Sequence, residues 1–79
     1  MPEETLTAAE IAQHYSAAGD SVTLINELVA LSERDDEQVD TVRRNVEHLE
    51  IMVAKDYWTT EDLAPFNAAI TAGKAVLPS

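Results

Sequence analysis

Apolar residues recur along this chain at helical spacing and nowhere alternate as they would in a half-buried strand. Ala8, Ile11, Ala12 and Tyr15 share one face of a helix predicted over 8–18. The preceding Thr7-Ala8-Ala9-Glu10 has the form of a capping box. In it the Thr7 hydroxyl accepts from the Glu10 amide while the Glu10 carboxylate reaches back to the Thr7 amide. Gly19 suits the left-handed position that ends a helix. Asp20 or Ser21 would then cap a second helix, 22–34, with Val22, Ile25, Leu28, Val29 and Leu31 on its apolar face. Asp35 or Asp36 caps the longest element, predicted over 36–55. Here Val39, Val42, Val46, Leu49 and Val53 step by three, four, three and four. That seven-residue repeat covers only about two heptads, fewer than a free-standing coiled coil needs, and reads as the core-facing stripe of a bundle.

Tyr57 and Trp58 lead into the last segment. With Thr59 as N-cap, Trp58 and Leu63 form the two ends of a hydrophobic staple and Asp62 falls at N3. Pro65 conflicts with that register. It would lie beyond the first turn, where proline loses a hydrogen bond and crowds an earlier carbonyl. A later start, near Asp62, is therefore expected, giving a helix over 62–72 that Gly73 stops, with Ala75 to Leu77 as a short tail packing back. The expected fold is all-α: a compact bundle of four helices with short connections, forming one domain over 1–79.

Composition sharpens this in three ways. A chain of 79 residues buries roughly 60% of the surface it exposes when unfolded, which leaves a thin stability margin. It has no cysteine, so disulfides and thiolate zinc sites are excluded, and self-association is the remaining route to more buried area. The charge is lopsided: six carboxylates and no Lys or Arg precede Arg34, and the total reaches −10. Such a surface repels phosphate backbones and anionic headgroups, arguing against direct nucleic-acid or membrane binding. No apolar run is long enough to span a bilayer. The acidic start, Met-Pro-Glu-Glu-Thr, is unlike the basic opening of a signal peptide. A cytoplasmic protein is expected.

Candidate chemistry is sparse. Glu10 and His14 share a helix face, but a zinc site needs three or four ligands and no third falls within a turn. His14 would lie in a helix's last turns, where an imidazolium favours the carbonyls. His48 stands between Arg44 and Met52 on its face and reads as a solvated residue. Asp35-Asp36-Glu37 reads as a helix N-terminus, and no EF-hand loop, phosphate loop or nucleophile elbow is present. The expectation is no catalytic residue, no metal, no cofactor and no small-molecule substrate.

One surface feature resists this plain reading. Ile51 projects almost opposite the Val39–Val53 stripe, so the end of that helix is apolar nearly all round. Either Trp58, the last helix or the tail covers it, or a second chain does. Aromatics are common at binding hot spots, so the candidate interaction surface is His48, Ile51, Met52, Tyr57 and Trp58.

The stretch Arg44-Asn45-Val46-Glu47-His48-Leu49-Glu50-Ile51-Met52, with Tyr57-Trp58-Thr59 and Asp62-Leu63, resembles small helical proteins of unknown function encoded by phages and prophages. The resemblance implies an accessory or virion-assembly role, in the host cytoplasm or the virion, and carries no functional residue over. The leading expectation is a non-enzymatic interaction protein that forms a homo-oligomer or binds a helical or basic protein. An alternative is an acidic DNA mimic that inhibits a nucleic-acid-binding protein, which would need a continuous acidic stripe. Adaptation to high salt is a third reading, consistent with only two lysines, Lys55 and Lys74.

Overall fold

The computed structural model describes residues 7–78; the acidic start with Glu3 and Glu4 lies outside them. Three helices occupy the described residues: α1 (Ala8–Val29), α2 (Asp36–Val53) and α3 (Thr60–Val76). Each packs against both others, within an envelope of 45 × 24 × 17 Å.

All three helices begin with the same device. Thr7 and Glu10 exchange side-chain to amide bonds of 2.9 and 3.1 Å, Asp35 and Gln38 bonds of 3.0 and 2.8 Å, and Thr59 and Asp62 bonds of 3.2 and 3.0 Å. Each reciprocal pair satisfies two of the amides a helix start leaves without partners. Asp36 and Glu37 in the first turn of α2, and Glu61 and Asp62 in that of α3, add favourable charge at the positive end of the dipole.

The expected four helices become three because Gly19 does not stop α1. No glycine in the described residues has a positive φ, so Gly19 stays right-handed and the helix runs through it. Asp20 and Ser21 consequently cap nothing. Glycine inside a helix costs about 0.5–1 kcal/mol relative to alanine. Continuity compensates by keeping Ala18, Ser21 and Ile25 on one buried stripe. The helix does end early, at Val29 rather than near Arg34. Arg34 folds back instead, its Nη1 donating to the carbonyls of Leu28 at 2.9 Å and Leu31 at 2.8 Å. A cation placed on the last carbonyls of α1 serves as its cap.

The last helix also differs from expectation. It starts at Thr60 rather than near Asp62 and continues to Val76, through both Pro65 and Gly73. Pro65 lacks the amide that would bond the Glu61 carbonyl, but both residues are exposed, so solvent can take the vacant acceptor. Gly73 is buried because no larger residue fits there. A Cβ at this position would stand 2.5 Å from Val46 Cγ2, 3.3 Å from Ile25 Cγ2 and 3.4 Å from Val42 Cγ1. At this point the α3 backbone lies directly against side chains of both other helices.

The core gathers Ala18 and Ile25 from α1, Val42, Val46, Leu49 and Met52 from α2, and Phe66, Ala69 and Ile70 from α3, closed by Trp58. Val39 and Val53, the ends of the expected stripe, are half-buried. Met52 takes the inward position in the last turn of α2. Val76 and Leu77 pack on the edge of the core.

Candidate interaction surface

α2 divides into two unlike faces. Inward, Val42, Val46 and Leu49 are 0–2% exposed. Outward, Ile51 is 62% exposed, the most exposed of the large hydrophobic side chains in the described residues. It lies in a shallow, open depression with Glu47, Glu50, Ala54 and Lys55. Glu47 is four residues before Ile51 and so shares its side of the helix axis, and Lys55, in the turn just beyond the end of α2 at Val53, lines the same depression.

The five residues expected to form a surface do not stay together. Only Ile51 faces outward. Met52 and Trp58 belong to the core, at 6% and 9% exposure. The Trp58 indole Nε1–H donates to the Met52 carbonyl at 2.7 Å, which ties the end of α2 to the start of α3. Its ring meets Phe66 edge-on, with centroids 5.3 Å apart at 80°, the geometry that ring quadrupoles favour. Tyr57 is half-buried and tilts against Trp58 at 4.6 Å. Both aromatics follow Ile51 closely in sequence, but the chain turns at residues 54–59 and carries them inward.

His48 is half-buried rather than solvated. Its Nδ1 lies 2.9 Å from the Ser21 hydroxyl, a cross-link between α1 and α2 that gives the buried serine its partner. His14 is exposed in the middle of α1, because the helix does not end at Gly19, and its ring lies 6.2 Å from that of Tyr57. The Glu10 carboxylate is engaged with the Thr7 amide. Among the described residues no group of three or more His, Asp and Glu side chains is placed to hold a metal ion.

Charges on α2 are partly committed. Asp40 meets Arg43 at 3.5 Å and Arg44 at 2.9 Å. These are exposed helix pairs, each contributing about 0.3–0.5 kcal/mol. Glu50 pairs with Lys74 of α3. No helix in the described residues is long and apolar enough to cross a membrane.

No family model, curated protein or solved structure matches this chain.

Proposed function

We propose that this chain is a non-enzymatic interaction protein that binds through the outward face of α2, centred on Ile51. The 62% exposure of that isoleucine carries the reading. A neighbouring methionine is turned into the core while the bulkier β-branched side chain is left in water. Covering one such side chain contributes up to about 1.5–3 kcal/mol, a large fraction of what a domain this small holds in reserve. Ala54 extends the apolar patch, and the methylene stems of Glu47 and Lys55 can flatten against a partner while their charges stay wet. The partner chemistry this suits is another helix: a narrow apolar ridge with charges of both signs beside it. An accessory or assembly role, as in the phage and prophage proteins the sequence resembles, is compatible with such a surface and would place the chain in a host cytoplasm or a virion.

Mimicry of nucleic acid receives less support. A mimic presents an unbroken row of negative charge, whereas Asp40 and Glu50 on α2 are met by Arg43, Arg44 and Lys74.

The test is affinity capture from source-cell lysate, with the wild-type chain and Ile51→Lys as parallel baits. The wild type is expected to retain a protein, its own kind included, that the variant loses while keeping its helical circular dichroism. Identical captured sets from both baits would remove this face from consideration.

A further inference from the structure

The outward face of α2 and the turn that follows it carry an order of charges that distinguishes among occupants. Glu47, Ile51 and Lys55 succeed one another at intervals of four and line the same depression. Glu50, also in that depression, is engaged with Lys74. Neither Glu47 nor Lys55 takes part in any ion pair found among the described residues.

A two-fold axis beside Ile51 relates every position to the one equally far beyond it. Two antiparallel copies therefore bring Ile51 against Ile51, and Glu47 of each copy against Lys55 of the other, twice. Two parallel copies would bring Glu47 against Glu47 and Lys55 against Lys55. Like charges directly opposed are unfavourable, so the order of charges selects the antiparallel arrangement. A self-complementary patch of this kind is what an isologous contact requires.

We infer that the occupant of this face is a second copy of the chain, packed antiparallel through the C-terminal end of α2. The inference rests on reading that face as a binding surface and adds the partner and its orientation. Each chain carries −10, so mutual repulsion opposes association in general. The antiparallel contact meets this by placing a scarce lysine of each copy on a carboxylate of the other. Its extent is modest. The patch runs only from Glu47 to Lys55, just past the end of α2 at Val53, so the interface belongs to the small, weak class and populates at high concentration or where chains are held close together.

Sedimentation equilibrium on the full chain, from micromolar to millimolar concentration, tests this with wild type, the charge variants Glu47→Lys and Lys55→Glu, their double variant, and Ile51→Lys. All three sites of change, Glu47, Ile51 and Lys55, are exposed, and circular dichroism checks that each protein folds. The wild type is expected to rise toward twice the monomer mass. Each single charge variant should associate at least about tenfold more weakly, a loss of about 1.4 kcal/mol, and the double variant should recover, because the exchanged charges again face opposites. The two single variants mixed should associate with each other better than either does alone. A wild type that remains monomeric at millimolar concentration overturns the inference but leaves the binding-face reading to the capture experiment. A double variant no stronger than the single ones overturns the antiparallel contact. A wild-type dimer that Ile51→Lys fails to weaken removes both the inference and the face it rests on.

Discussion

The two faces of α2 use similar side chains to opposite ends. Val46 and Ile51 are both β-branched aliphatics on the same helix, yet one is 2% exposed and the other 62%. The difference lies in what stands opposite. Val46 faces a glycine, Gly73, whose missing side chain lets α3 approach closely. Ile51 faces no other helix of its own chain, and its neighbours are Glu47, Glu50, Ala54 and Lys55. Residue type therefore decides little at these two positions. The opposing surface determines whether an aliphatic side chain becomes core or remains available to a partner.

Substitutions can break or sharpen this contrast. The largest effect is expected on the inner face. Val46→Asp would bury a carboxylate with no partner, at a cost of several kcal/mol, which rivals the whole stability of a domain this size. The variant should lose its helical circular dichroism at room temperature, while Glu47→Ala, one residue away and exposed, should melt like the wild type in dilute solution, where the chain is monomeric.

Gly73→Ala tests the same contact from the other side. Its new methyl would meet Val46 Cγ2, a stiff side chain with little freedom to retreat. Overpacking of this kind costs about 1–3 kcal/mol, and each kcal/mol lowers the melting temperature of a small domain by about 4–8 °C. Adding Val46→Ala should make the double variant more stable than the sum of the two single losses. Strict additivity in urea unfolding would show that the two positions are not in contact.

A third change probes how α1 ends beside this core. Arg34→Met removes the guanidinium from the Leu28 and Leu31 carbonyls and should cost about 1 kcal/mol in urea unfolding. An unchanged midpoint would mean that water replaces the cap without loss.

The smallest effect should have the opposite sign. A Cβ at Gly19 meets nothing within 4 Å, and the backbone there is ordinary right-handed helix. Gly19→Ala should therefore stabilise the fold by about 0.4–1 kcal/mol. A lower melting temperature would indicate that α1 bends or opens at this residue.

These two glycines also mark where the sequence was legible and where it was not. Helix starts are written locally: Thr7 with Glu10 satisfies amides three residues apart and forms as its spacing implies, and Thr59 with Asp62 forms the same way, although Pro65 pointed to a later start. Asp35 likewise caps α2, with Gln38 completing the box. Helix stops are not local here. Gly19 and Gly73 both carry the usual stop signal, yet tertiary burial of Ala18, Ser21, Ile25 and Ile70 carries both helices through. The true end of α1 depends on Arg34 reaching back across a loop, which no helical period displays. The candidate surface follows the same rule. Ile51's outward direction follows from its angle to Val42, Val46 and Leu49. The inward turn of Trp58 depends on a hydrogen bond to Met52 and on Phe66, both set by the path of the chain after α2. Glu47 shares the side of Ile51 by helical spacing, whereas Lys55 joins the same depression from the turn beyond Val53, which no helical period displays.

Thermal melts over a range of protein concentration, for wild type and Ile51→Lys together, test the division of α2 most directly. An interface that forms only between folded chains makes the melting temperature rise with concentration. The wild type should show that rise, and Ile51→Lys should hold one temperature throughout, equal to the wild-type value at the dilute limit. Two curves rising in parallel would contradict the account, because association would not involve Ile51. A variant melting well below the wild type at every concentration would contradict it as well, because Ile51 would then belong to the chain's own core.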